Sequence, residues 1–310
     1  MTVRGLCEWI AGRGALLLFA GVFAGLAVPP LAALLRPTVL PVTFLLFVAS
    51  LLRLDLGMIL HHARRPARAV LILAAIMVGA PLGWAALFKL VPAPPSLVLS
   101  IILTTTTTPV LSSPAFALLL GLEAELALIV VLAAMLLIPI TMPALALALL
   151  GLQIDLSTAE LMGRLAAFVG GGFALAMALR RLIGPARIKS EARAFDGAMV
   201  VILVVFAIGV MDGVTARLLA EPGLVILFTA AAFLLNAAQQ ILGAAVFWLS
   251  GRRLALTVGL LFGYRNMALV LAVLGEAAPA DFVLFVAVAQ LPMYMYPVAT
   301  LPLYRWLLRG

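Results

Sequence analysis

Long apolar runs recur along the whole chain, each bounded by a short cluster of charged, proline or glycine residues. Ten of them read as helices, over residues 14–34, 39–52, 67–90, 96–120, 124–150, 161–179, 197–210, 223–249, 254–275 and 280–308. Most reach the roughly 20 residues that a helix needs to cross a hydrocarbon core. The second and seventh are short, which predicts extension into their flanks or little tilt. The period-2 alternation of short barrel strands is absent. A backbone in lipid must satisfy its own hydrogen bonds, so the expected fold is an all-α membrane protein. The first run follows Arg4 and Arg13 much as a signal peptide would. It lacks a small-residue cleavage site before Pro29-Pro30 and is read as the first span.

Composition removes the main alternatives. The 310 residues are 66% hydrophobic and 10% charged, with a mean hydropathy of +1.27. Soluble domains carry about 25% charged residues, so a soluble enzyme and a disordered chain are both excluded. The net charge of +8 could point to nucleic acid, but its distribution points to the lipid bilayer instead. Arg4, Arg13, Arg53, Arg64, Arg65, Arg68, Arg180, Arg181, Arg187, Lys189, Arg193, Arg252, Arg253, Arg305 and Arg309 fall on one side of the ten-helix topology. Only Arg36, Lys89, Arg164 and Arg217 fall on the other. The positive-inside rule then predicts both termini in the cytoplasm, with a bacterial inner membrane as the expected location. The single cysteine, Cys7, allows no internal disulfide. Adjacent His61 and His62 do not make a metal site, and no cofactor is expected.

Residues 1–150 and 151–310 each hold five of the ten helices. An odd number per half predicts two repeats inserted with opposite topology. The fourth helix of each half is interrupted at mid-depth: by Pro109 and Pro114 within residues 104–114, and by Gly263-Tyr264-Arg265-Asn266. Paired interruptions in inverted repeats mark the binding site of a secondary transporter. The candidate lining is Thr107, Thr108, Ser112 and Ser113 from the first break, with Arg265 and Asn266 from the second. Alternatively, the hydroxyls of residues 104–113 bond back to their own helix, and Arg265 is structural. No carboxylate sits at mid-depth beside Arg265, so the arginine is expected to attract an anion. Asn236 and Gln240, at i, i+4 on the eighth helix, either line the cavity or tie helices together, as do Gln239 and Gln290. Gly170-Gly171-Gly172 suits close helix packing. No nucleophile–base pair, metal cluster or nucleotide motif is visible, so an enzyme is not expected.

In order and spacing, these motifs resemble the bile acid:sodium symporter family over nearly the whole chain. The resemblance rests on Pro29, Leu54-Asp55, Arg64-Arg65-Pro66 and Pro81. It continues through Pro109 to Pro114, Pro139-Ile140-Thr141-Met142-Pro143 and Gly263-Tyr264-Arg265-Asn266. It implies ten helices in two inverted five-helix repeats. Helices 1, 2, 6 and 7 would form a panel, helices 3–5 and 8–10 a core, and helices 4 and 9 would cross at their breaks. It also implies alternating access for an organic anion, with Asn266 near the substrate. This chain departs from the family at its sodium ligands. Leu261 replaces the glutamate, Arg265 the ninth-helix glutamine and Ile76 the third-helix glutamine. The fourth-helix Ser-Asn pair falls on Ser113-Pro114 or Pro114-Ala115, and two fifth-helix hydroxyls fall on Ala127 and Val131. The expected function is secondary transport of a small organic anion without those sodium sites. The alternatives are a sodium symporter with a rearranged ion site, an arsenite-type efflux carrier, and a membrane scaffold or sensor.

Overall fold

The computed structural model describes residues 3–52, 66–151 and 156–309. Arg53, Leu54-Asp55, His61, His62, Arg64 and Arg65 lie outside the described residues. The described chain is helical and contains a single isolated β-bridge. In the first half, the helices are α1 (Val3–Ala11), α2 (Gly14–Ala27), α3 (Pro29–Leu35), α4 (Val39–Leu52), α5 (Pro66–Ala74), α6 (Ala80–Leu90), α7 (Pro95–Thr105), α8 (Ser113–Leu119) and α9 (Ala124–Leu150). In the second half they are α10 (Thr158–Ile183), α11 (Pro185–Ser190), α12 (Ala192–Gly209), α13 (Val214–Ala220), α14 (Pro222–Val246), α15 (Arg252–Gly263), α16 (Met267–Leu274), α17 (Ala280–Ala299) and α18 (Leu301–Arg309).

Among the described residues, seven helical stretches are long and apolar enough to cross a membrane: Pro29–Leu52, Ala67–Leu90, Ala124–Leu150, Thr158–Ile183, Ala192–Ala220, Pro222–Val246 and Ala280–Ala299. The pair Gly5–Ala11 and Leu16–Ala27, bent by 83°, makes an eighth if counted as one span. The protein is therefore a multi-pass, all-α membrane protein.

Several boundaries differ from those expected. The first span ends at Ala27 rather than near residue 34, and the second begins at Pro29 rather than Val39. The reason is local. Pro29 and Pro30 suit the first turn of a helix, where no N–H is needed, and proline forces the residue before it out of the helical region. Val28 accordingly sits at φ −125°, ψ 72°. Past the prolines, the 3-10 turn Arg36–Thr38 carries the helix into α4 without a break. The seventh span starts at Ala192, with Arg193 and Asp196 inside it. The tenth is divided at Thr300 into α17 and α18.

The helices pack as two groups. In one, α12 lies against α1, α2, α3 and α4, while α10 lies against α4. In the other, α14 packs on α15 and α17, α9 packs on α5, α7, α8 and α15, and α17 packs on α7. The groups meet where α9 leads to α10, where α16 touches α4 and α10, and where α17 touches α2. Lipid gives no hydrophobic drive between helices, so close van der Waals fit has to hold them. On α12, a Cβ at Gly209 would stand 2.9 Å from the Leu35 carbonyl oxygen, a backbone atom that cannot move aside. Of Gly170, Gly171 and Gly172, only Gly172 makes such an approach, onto the Phe47 ring; the other two meet nothing within 4 Å.

Gly209→Val should therefore push α3 off α12 and destabilise the protein by about 1–3 kcal/mol, the usual range for overpacking. Gly170→Val, in open space, should leave the melting temperature in detergent nearly unchanged. Equal melting of the two variants would show that the α3–α12 approach does not matter.

Candidate binding site at the crossed breaks

Both expected interruptions are present, and they touch. One lies between α7 and α8 over residues 106–112, the other between α15 and α16 over residues 264–266. Pro109 and Arg265 pair as an isolated antiparallel bridge. Val110 N–H donates to the Tyr264 carbonyl at 2.8 Å, and Asn266 N–H donates to the Thr108 carbonyl at 2.8 Å. The bonds flank the Pro109–Arg265 pair, so neither of those two residues contributes its own N–H to the bridge. A proline fits there because the position asks for no donor. Pro114 lies in the first turn of α8 and starts that helix rather than breaking one. Gly263 has no positive φ. It is needed for closeness, because a Cβ there would run into Gln240 Cγ and lie 3.1 Å from the Asn236 carbonyl oxygen.

Arg265 is buried, 1% exposed, at the centre of the crossing. Its Nε donates to the Phe262 carbonyl at 2.8 Å and to Gln239 Oε1 at 3.2 Å. One terminal nitrogen donates to the Ile76 and Thr107 carbonyls at 3.2 and 3.0 Å. The other donates to the Ile76 carbonyl at 3.2 Å and to Gln239 Oε1 at 3.0 Å. A guanidinium has five N–H groups, and these contacts use them all.

The acceptors are available because the local backbone has released them. Ala75–Gly79 is a π turn in which Ala80 N–H bonds to the Ala75 carbonyl, five residues back. The same spacing would give the Ile76 carbonyl to residue 81, which is Pro81 and has no N–H. Phe262 would ordinarily accept from Asn266 N–H, which is committed to Thr108. Thr107 lies beyond the end of α7.

The remaining candidates divide between the crossing, the protein interior and a crevice. The threonine hydroxyls turn back on their own segment: Thr104 to the Ser100 carbonyl, Thr105 to Ile102, Thr106 to Leu103 and Thr107 to Thr104. Thr108 Oγ1 faces Met135 Sδ at 3.6 Å. Ser113 is buried and its hydroxyl has no partner. Asn236 and Gln240 bond to each other rather than pointing in parallel. Gln240 Nε2 donates to Asn236 Oδ1 at 2.6 Å, and Asn236 Nδ2 donates to the Gly263 carbonyl at 3.0 Å. Tyr304 hydroxyl on α18 donates to Gln240 Oε1 at 2.8 Å, extending this chain. Asn266 caps α16, its Oδ1 accepting from Leu269 N–H at 3.3 Å. Gln239, which sequence reasoning grouped with its neighbours but did not place at the site, is the side chain that holds Arg265.

Ser112, Arg265, Asn266 and Gln290 line a crevice of about 330 Å³ between the two helix groups. Its walls are otherwise largely apolar, including Phe47 and Thr43 of α4, Phe168 of α10, Leu203 and Phe206 of α12, Phe116 of α8 and Tyr294 of α17. It extends toward the end of the molecule that bears Gly14, Leu119, Met199 and Val298. At the opposite end, contacts tie α13 to α17 and α10 to α16. Arg217 of α13 pairs with Asp281 of α17 at 2.8 Å and with Glu221 at 3.1 Å. Arg164 of α10 donates to the Val273 and Leu274 carbonyls at the C-terminal end of α16, at 3.3 and 3.4 Å. Among the described residues, no group of three or more His, Cys, Asp or Glu stands close enough to hold a metal ion.

The bridge geometry separates two neighbouring substitutions. Pro109→Ala removes no hydrogen bond and should cost no more than about 1 kcal/mol, through the freer unfolded chain. Val110→Pro deletes the donor to Tyr264 in a buried crossing and should cost several times more. Thermal unfolding of both variants checks this, and a larger loss for Pro109→Ala would be incompatible with the bridge.

No protein-family model matches this chain and no curated protein matches it, so the reading of the site rests on its geometry.

Proposed function

We propose that this protein is a secondary active transporter of a small organic anion, working by alternating access. The observation that carries the reading is a crevice between two helix groups that ends on two crossed, broken helices. In this reading the chain is two inverted five-helix repeats. The group around α12, with α4 and α10, is the panel; the group around α14 and α9 is the core. The crevice faces the arginine-rich end, which the positive-inside rule puts in the cytoplasm together with both termini. The Arg217–Asp281 pair and the Arg164 contacts are then the closed outer gate, which must part when the site turns outward.

The preference for an anion comes from Arg265. Its partners are neutral oxygens, which satisfy its N–H groups without cancelling its charge. Two unit charges about 8 Å apart attract by roughly 2 kcal/mol at an effective dielectric near 20, a factor of tens in affinity. The arginine acts through its field, while Ser112, Asn266 and Gln290 offer neutral polar contacts. The apolar walls favour a carboxylate with a hydrocarbon or aromatic body, and the crevice lies at the small end of the range for ligand pockets.

Purified protein in liposomes should take up such a carboxylate saturably, and its neutral amide should compete roughly tenfold or more weakly. Absence of flux for every anion tested, or equal competition by the amide, would overturn the reading. Uptake should also be unchanged when Na⁺ is replaced by K⁺ or choline at constant ionic strength, because Leu261, Arg265 and Ile76 offer no side-chain ligand for a sodium ion. A steep, saturable Na⁺ requirement is the contrary result.

A further inference from the structure

The oxygens around Arg265 come from four separate parts of the chain. They are Ile76 in the π turn, Thr107 in the first break, Phe262 at the end of α15 and the Gln239 side chain on α14. Two of the three backbone oxygens lack their ordinary helical donor for a specific reason: Pro81 in one case and the bridge in the other. Converging, buried, neutral acceptors stay unpaired unless a donor or a cation lies among them, and several oxygens aimed at one point are best satisfied by a positive group. This is the chemistry of a cation site. The position that would hold a dissociable ion is filled by a side chain.

We infer that the crossing is a binding site for a guanidinium-type cation and that Arg265 is its permanently tethered occupant. The planar group lies among the oxygens of all four elements and keeps the two breaks, α14 and the π turn in register. Once the tether is cut, the cage is a site for a free cation of the same shape. Guanidinium ion fits it best, because its six N–H groups reproduce the fork that the arginine presents. Na⁺ is a weaker occupant, although it too takes oxygen ligands. The inference concerns how the crossing is held together and needs no substrate, so it stands or falls separately from the transport reading.

The test is thermal unfolding of purified Arg265→Ala, Arg265→Met and native protein. Each is measured in guanidinium chloride at about 1–50 mM, far below denaturing concentrations, where a ligand of the folded form raises stability by saturation. Urea and choline chloride at equal concentrations are the controls, the first having the shape without the charge and the second the charge on too large a body. Arg265→Ala should melt at least about 5 °C below the native protein. Guanidinium should restore half or more of that loss, saturably, while urea and choline restore none. Arg265→Met, which fills the space without charge, should melt low and respond to nothing. The inference is overturned if guanidinium acts on Arg265→Ala no more than urea does. It is equally overturned if Arg265→Met melts with the native protein, or if Arg265→Ala cannot be recovered folded in buffer that contains guanidinium.

Discussion

A buried guanidinium deep in an apolar bundle is the constraint around which the rest of the structure is arranged. An arginine at this depth is expensive unless every N–H finds an acceptor, and the interior of a helical bundle has almost no spare acceptors, because each carbonyl already serves its own helix. The chain supplies them by damaging regular structure at chosen points. Pro81 spoils one helix, residues 106–112 leave another, and α15 stops at Gly263. Each defect would be unfavourable alone. Together they satisfy one another: the carbonyls meet the cation, and the extended segments pair through Val110 and Asn266.

The breaks then determine what the surrounding helices must do. An interrupted backbone at membrane depth is tolerated where protein or water covers it. Here α14 provides cover from one side, close enough that position 263 has no room for a side chain, and Asn236 meets the carbonyl that the break leaves exposed. On the other side the breaks open onto the crevice, where α2, α4, α10 and α12 form the facing wall. The site is thus bounded by one surface tied to it through hydrogen bonds and one that only lies against it.

Much of this was legible in the residues. An arginine inside an apolar run, with no carboxylate near it in the topology, announces a special environment, and two prolines among hydroxyls announce a helix that cannot continue. What stayed hidden depended on backbone geometry or on long-range pairing. Nothing in the apolar residue Ile76 says that its carbonyl will hold a cation; the only trace is a proline five positions later. The threonine run favoured a polar lining over a set of back-bonded hydroxyls, yet the hydroxyls of Thr104 to Thr107 bond back to carbonyls of their own segment. The Pro29-Pro30 pair was visible, but Pro37 read as a stop, whereas the chain passes it in a 3-10 turn that continues into α4. Arg217 and Asp281 are 64 positions apart and meet because the last turn of α13 lies against the first turn of α17.

The use of main-chain oxygens has a consequence for inheritance. At residues 76 and 107 the cage uses only the carbonyl, which every amino acid possesses. Their side chains are free to drift among types that pack equally well, and the cage would persist unchanged. Restraint falls instead on positions 81, 239, 262 and 265: the imino acid that frees a carbonyl, the amide that braces the guanidinium, the ring that faces it at 5.6 Å, and the guanidinium itself. A lineage carrying this device could therefore lose most of its resemblance to its ancestors around the crossing while keeping the crossing intact.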